Sequence, residues 1–416
     1  MALAAALRAA WVLRERATPV SDYSWYFQHA MSLARGLGYS DSDGTPTAFW
    51  PIGWPLVLAG VLKLAGPSVL AGLFAQVILS CATVFVIYLL ARAVAGETAG
   101  LLGAAAYAIL PGAILYDGVL GSEPLFTFLL VAAIYAIVLA DANRPLLFAL
   151  AGALLGFAAL VRPIAVLFPV CLIVALAASS YFQRRRRRAS VVLGLPLICA
   201  AAMAVVIAPV AIRNERVFGT FVGISNNGGI NLWQGNNPYA NGGYFWSTSP
   251  AINPLLTYES GAPPRTRELD VDRHAASLAW RYMRTHPSRT FFMGFRKVAL
   301  LYRNDPGPSQ GLDEANPRFD AAALARLRGT SNAGYFLFMI VAAIGFGAVV
   351  LRKFPIHMPA ALLVVVTIAY FTLIFAVFPA FDRMRYPSMP LFAIFTGIGL
   401  MAIGQTLGRL SGYTKN

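Results

Sequence analysis

Leu70–Leu90 and Ala360–Phe378 are apolar runs without one acidic or basic side chain, each as long as the roughly 17 to 25 residues that a helix needs to cross a hydrocarbon layer. Runs of this kind recur along the chain, and they leave little choice of fold. Lipid offers the backbone no hydrogen-bond partner, so a segment buried in it must satisfy its own peptide groups as helix. The chain is therefore expected to be all-α, a polytopic transmembrane helical bundle with extracytoplasmic loops and juxtamembrane helices. Composition agrees: of 416 residues 58% are apolar and 12% charged, against about a quarter charged in an ordinary soluble domain.

The 33 basic residues outnumber the 18 acidic ones and leave a net charge of +15. They gather at the ends of apolar runs, as cytoplasmic anchors do, and this argues against a nucleic-acid partner and for membrane lipids. Arg184–Arg188, a run of arginines between two apolar segments, places that short loop in the cytoplasm. Counting back from it, Ile164–Ser180, Leu146–Leu160, Ser122–Ala140, Leu101–Leu115 and Leu70–Leu90 alternate in direction, which puts residues 21–69 outside. Counting forward, Val191–Val210 exits and Arg352-Lys353 marks the next inner loop. Ala333–Leu351, Ala360–Phe378 and Ser388–Ile403 then complete about nine crossings. Met1–Leu13 is short for a tenth. Ile52–Leu64, about 13 residues or roughly 20 Å of helix, reads as a partly inserted helix against the membrane, and Phe291–Tyr302 as an amphipathic surface helix.

The domain organisation follows from this parity. Residues 1–211 form an N-terminal membrane module carrying the first outer loop, 21–69; residues 212–331 form an outer region with interfacial helices; residues 332–416 are C-terminal membrane helices. Cys81, Cys171 and Cys199 lie in apolar runs and read as small buried hydrophobes. His29, His274, His286 and His357 lack metal-ligand spacing, so zinc chemistry is unsupported.

The polar residues with chemical potential collect on the outer side. An acid at the foot of an apolar helix needs a partner or a task, and Asp22 and Glu123 are the two best placed. Asp22 could equally cap the helix that follows it, Glu123 could cap or pair with an arginine, and Asp117 reads as a solvated turn residue. Arg162, Arg213, Arg216, Arg296, Lys297, Arg383 and Arg385 offer donors suited to a phosphate at headgroup level, with interfacial anchoring as the alternative. Lys297 and Arg385 are the choices for that phosphate. The stretch Ile230–Pro238, with Asn231, Trp233, Asn236 and Asn237, has the amides and ring of a saccharide-facing loop, although turn chemistry also explains it.

Together these residues make the chain resemble the bacterial polytopic glycosyltransferases of the GT-C superfamily, in the branch of the protein O-mannosyltransferases and the lipid A aminoarabinose transferases. The resemblance is carried by Asp22 with Tyr26, Ala30, Leu33, Gly36 and Gly38-Tyr39, by Pro51–Pro55, Ser122-Glu123-Pro124 and Leu160–Pro163. It continues in Arg213-Asn214, Phe218-Gly219, Asn231–Pro238 and Arg385-Tyr386-Pro387. It implies a multi-pass enzyme of the bacterial inner membrane that moves a sugar from a polyprenyl-phosphate carrier to a lipid, glycan or protein acceptor on the periplasmic face. Asp22 falls where the family has its proposed catalytic base, and Tyr26, Tyr39 and Tyr386 fall in substrate-binding stretches. The usual second acid after the base is replaced here by Tyr23, and the full first span of the family is matched only by Met1–Leu13. No metal is demanded, although a divalent cation shared by Asp22 and Glu123 would have precedent in the superfamily. The competing classes are a ligase or polymerase using a diphosphate carrier, a transporter, which would need charges inside its spans, and an assembly scaffold.

Overall fold

The computed structural model describes residues 1–15, 18–140, 144–183, 189–258, 261–308 and 319–413. Arg184–Arg188 lies outside the described residues. The described chain is helical throughout, with Ser40 and Pro46 forming an isolated β-bridge. In order the helices are α1 (Ala2–Glu15), α2 (Ser21–Ala34), α3 (Gly53–Ala65), α4 (Val69–Ala95), α5 (Glu97–Ala108), α6 (Pro111–Leu115), α7 (Glu123–Leu139), α8 (Pro145–Val161) and α9 (Phe168–Phe182). They continue as α10 (Ala189–Phe218), α11 (Gly228–Gly235), α12 (Arg267–Thr285), α13 (Pro287–Tyr302), α14 (Ala321–Val350), α15 (Met358–Val377), α16 (Asp382–Arg385) and α17 (Met389–Tyr413).

Among the described residues six helical segments are long and apolar enough to cross a membrane: Val69–Ala95, Pro163–Phe182, Val192–Phe218, Ala321–Val350, Met358–Val377 and Asp382–Gly408. The chain is thus a multi-pass membrane protein. The three remaining expected crossings take less regular forms. Glu97–Ala108 and Pro111–Gly118 make a pair bent by 57°, with Pro111 opening the second half, where its missing N–H breaks the ladder. The other two, α7 and α8, have 17 residues each, about 25 Å of helix.

Small residues let these helices approach closely. A Cβ at Gly345 of α14 would lie 1.9 Å from the Phe395 carbonyl oxygen of α17, and one at Gly397 would lie 2.2 Å from the Ala99 oxygen of α5. Such contacts bring backbones together without a hydrophobic drive between helices. α3 departs from the expected surface position: Trp54 and Leu58 are buried, the Trp54 indole donates to the Leu120 carbonyl at 3.0 Å, and Gly53 touches the backbone of Leu160 in α8. Its inner face joins the bundle and Leu64 stays exposed.

α1 is also built in. Trp11 donates to the Leu115 carbonyl at 3.2 Å, and Arg8 meets Asp117 at 3.0 Å with neither side chain exposed. Ser80 completes the cluster, donating to Asp117 at 2.5 Å. The reading of Asp117 as a solvated turn residue is corrected here. The turn after α6, Tyr116–Gly118, folds it under α1, and a carboxylate so placed persists because a guanidinium stands beside it.

Segments that charge counting assigns to a common side are in contact. The His357 amide donates to the Val94 carbonyl at 2.8 Å, joining the two turns read as inner. Residues 39–48 meet α10 and α12, and Asp22 meets residue 383, joining the segments read as outer.

Candidate active site

Three elements meet at one carboxylate, and a fourth joins them through an arginine. Glu123 opens α7 and is fully buried. Its Oε1 accepts hydrogen bonds from Arg162 Nη2, at the end of α8, and from Arg383 Nε, in α16. Arg383 reaches onward with Nη1 to Asp22 Oδ2 at 2.9 Å, while Arg162 Nε donates to Ser122 Oγ at 3.1 Å. Two acids and two guanidiniums therefore form a continuous chain, Asp22–Arg383–Glu123–Arg162, whose formal charges cancel. Its members differ in access: Glu123 is sealed, the arginine side chains are 13% and 14% exposed, and Asp22 is 29% exposed. Asp22 lies in the first turn of α2, whose N-cap is Val20, so the capping alternative is set aside in favour of the ion pair. Tyr23 lies under Arg383, with the guanidinium carbon 5.2 Å from its ring centre. Where the family pattern has a second acid, this chain thus offers an aromatic face to the same cation.

Behind Asp22 stands an aromatic layer. Tyr26 is buried beside Trp25 and Trp50, and burial, reinforced by the Asp22 charge, pushes its phenol up to about 12. Tyr39 donates to the Trp50 carbonyl at 2.9 Å. His29 is stacked on Trp25 at 3.5 Å and meets Asp41 at 3.0 Å. Arg213 fixes this layer from α10, donating to the carbonyls of Tyr39 at 2.7 Å and Thr47 at 2.8 Å. Glu268 of α12 holds the same segment through the Thr47 hydroxyl and the Ala48 amide.

Several expected ligands have other partners. Lys297 is fully buried, and its ammonium donates to Asn236 Oδ1 at 3.1 Å and the Val377 carbonyl at 2.5 Å. Burial lowers it to about 8. Arg385 is 1% exposed. It donates to the Leu301 carbonyl and the Asn304 carbonyl at 3.1 Å, lies 3.7 Å from Asp305, and sits 4.0 Å above the Tyr335 ring. Both are closed to an incoming phosphate in this structure, and both brace α13 against the C-terminal helices. Tyr386 is buried against Tyr116 with centroids 4.5 Å apart.

The amide-rich stretch is likewise turned inward. Residues 228–235 form α11, Trp233 is buried in a small core with Leu255, Ala275 and Ala279, and Asn231 is half-buried on the helix. Asn236 donates to the carbonyls of Leu232 and Val377 at 2.8 and 2.9 Å, and Asn237 to that of Trp233 at 2.8 Å. Here turn and cap chemistry prevails over the saccharide reading. Sequence reasoning passed over Tyr244, which stands edge-on to Phe381 and feels the Asp22 charge. The signal available for it was the aromatic tract Tyr244-Phe245-Trp246 after two glycines.

The donor set does not fit a divalent cation. The position between Asp22 and Glu123 is filled by the Arg383 guanidinium, and among the described residues no group of three His, Cys, Asp or Glu could hold a metal.

Comparison with known proteins places this geometry. Residues 50–212 match the family model described as dolichyl-phosphate-mannose-protein mannosyltransferase. That segment contains Glu123 and Arg162 but excludes Asp22 and Arg383. No curated protein matches the sequence significantly. The fold matches that of the oligosaccharyltransferase AglB from Archaeoglobus fulgidus, solved with an inhibitory peptide and a dolichol-phosphate, at a TM-score of 0.58 and 14% identity over 100% of this chain. A structure of the Archaeoglobus fulgidus oligosaccharyltransferase complexed with Zn and sulfate gives 0.58, at 15% identity over 98% of this chain. The chain spans about half the length of these proteins, 51% and 49% respectively. ArnT from Cupriavidus metallidurans, bound to undecaprenyl phosphate, scores 0.47 at 12% identity, covering 97% of this chain and 77% of its own. The chain thus has the all-helical fold of the GT-C membrane glycosyltransferases and resembles, over residues 50–212, their protein-mannosyltransferase branch.

Proposed function

We propose that this protein transfers a sugar from a polyprenyl-phosphate carrier to an acceptor of the bacterial envelope, on the periplasmic side of the inner membrane, by single displacement with inversion. One observation carries the reading: the partly open carboxylate of Asp22 shares an ion-pair chain with two arginines that face a common site. A general base and a phosphate clamp are the two parts this reaction needs.

In the proposed step an acceptor hydroxyl oxygen attacks the anomeric carbon, Asp22 takes its proton, and the bond from that carbon to the carrier's phosphate oxygen breaks. The electron pair stays on the phosphate, where Arg383 and Arg162 compensate the growing charge. Glu123 holds both guanidiniums in place when no phosphate is bound. Since the site leaves no cation cage, no step is routed through a metal.

Mass spectrometry of envelope glycolipids and glycoproteins, from cells with and without the gene, tests the reading. A sugar missing from the deletion strain is the expected result. Asp22→Asn should lower its transfer at least about a hundredfold, the usual weight of a general base, with carrier binding little changed. Unchanged glycans in the deletion strain would remove the function, and full activity in the variant would remove the base.

A further inference from the structure

The segment from Tyr239 to Trp246 is held at both ends yet presents its rings outward. The Ala380 amide donates to the Gly242 carbonyl at 2.9 Å, which ties this segment to the turn that carries Arg383. Gly242 adopts φ +95°, and a Cβ there would meet Leu300, Met293 and Arg296 of α13. Only a residue without a side chain fits that backbone and that space comfortably. Tyr239 is stacked on Phe245 with centroids 6.4 Å apart, and Trp246 stands edge-on to the buried Trp233.

Tyr244 is the most constrained of the exposed rings. Its edge meets Phe381 at 6.4 Å and 75°, the buried Gln234 lies near its hydroxyl, and its phenol is pushed up by burial and then by the Asp22 charge. Despite these restraints the residue is 55% exposed. An aromatic ring that is fixed, half open and next to an acid is expensive to leave in water without a use.

We propose that Tyr244, braced by Gln234 and Phe381, seats the pyranose ring that reacts beside Asp22. The inference rests on the reaction centre described under the proposed function. The chemistry is that of a saccharide site: an aromatic face covers the apolar C–H face of the sugar, and an adjacent amide and carboxylate serve its hydroxyls. Tyr244 acts as a specificity-determining residue, since the ring fixes which face of the sugar meets the base.

Saturation-transfer NMR on the purified protein in nanodiscs tests this with free sugars. The probes are methyl α-mannopyranoside, methyl β-glucopyranoside and methyl arabinopyranoside for an acceptor-like ring, and mannose 1-phosphate and glucose 1-phosphate for a donor-like one. At least one probe should show saturation at its ring C–H groups. Tyr244→Ala should reduce that signal at least fivefold, whereas Tyr244→Trp should retain it. A donor ring predicts that the phosphates give the stronger signal and lose it in Arg383→Gln; an acceptor ring predicts that the methyl glycosides are indifferent to that change. Equal saturation in wild type and Tyr244→Ala, or none with any probe, would overturn the proposal. Because these measurements do not require turnover, they decide the ring contact even if deletion of the gene leaves envelope glycans unchanged and so undoes the wider reading.

Discussion

Replacing Glu123 by Gln should make the protein less stable and at the same time better at holding a polyprenyl phosphate. The carboxylate is fully buried and accepts from two guanidiniums, so its loss leaves two cations facing the single charge of Asp22. Breaking a buried pair from one side costs about 3 to 5 kcal/mol. The arginines keep some contact with solvent, which places the effect near the lower bound, about 3 kcal/mol, or a melting point on the order of 5 °C lower. The same change moves the formal charge of the four-residue chain from zero to +1. One added positive charge about 4 Å from a phosphate amounts to about 4 kcal/mol at an effective dielectric of 20. Screening at a partly open site reduces this to about 1.4 kcal/mol, a tenfold gain in affinity. Differential scanning fluorimetry and titration with undecaprenyl phosphate, both in nanodiscs, measure the two quantities on one sample. Weaker phosphate binding in Glu123→Gln, or an unchanged melting point, would refute the idea that Glu123 is the resting counter-ion of the phosphate clamp.

The buried cluster under α1 makes a second stability prediction. Arg8→Met should destabilise by about 3 to 5 kcal/mol because Asp117 is left enclosed without its cation, and adding Asp117→Asn should restore most of the loss; a double variant no better than the single one would refute it. Lys297 should make stability depend on alkaline pH. Its folded value of about 8 lies below the ordinary 10.5, so the unfolded chain binds more protons between these limits. The buried ammonium is therefore a burden below pH 8 that is relieved as pH rises to 10.5, by about 3 kcal/mol in all. The difference between wild type and Lys297→Met in denaturation midpoint should shrink over that window, and a constant difference would contradict the assignment. Finally, Glu268→Gln should loosen residues 47–48, seen as faster amide exchange at Ala48, while leaving the global unfolding free energy within about 0.5 kcal/mol of wild type.

The bundle was legible in the sequence because lipid imposes one rule on every segment within it, and Leu70–Leu90 or Ala360–Phe378 need no tertiary information to be read. Length failed as a guide where tertiary contacts replaced it. α3 is too short to span, yet Trp54 and Gly53 seat it against the turn before α7 and against α8, and the turn after α6 buries an aspartate that turn chemistry would place in water. In the candidate site, residue type and side were readable and partnership was not. Asp22, Glu123, Arg162 and Arg383 meet across intervals of 39 to 361 residues, and no local pattern distinguishes Arg383 from Arg385 two positions later. The one faces two acids and the other the carbonyls of Leu301 and Asn304, because one turn of α16 points them to different neighbours. The amides of Asn236 and Asn237 misled for a related reason: the inventory that suits a sugar also suits the end of a helix.

The ion-pair chain also implies an order of events for the proposed reaction. At rest Asp22 is held by Arg383, and a carboxylate oxygen engaged by a guanidinium is not free to meet an acceptor hydroxyl. An incoming carrier phosphate competes for that same cation, and each contact it makes with Arg383 weakens the hold on Asp22. The base is then released only when the leaving group is in place, which protects the carrier-linked sugar from water in the absence of a clamped phosphate. Arg383→Gln should uncouple the two: transfer to the acceptor falls because the clamp is damaged, while hydrolysis of the carrier-linked sugar by water rises relative to transfer, because Asp22 is no longer held until the phosphate arrives. A hydrolysis-to-transfer ratio equal to that of the wild type would show that Arg383 does not govern the base and would dissolve this ordering.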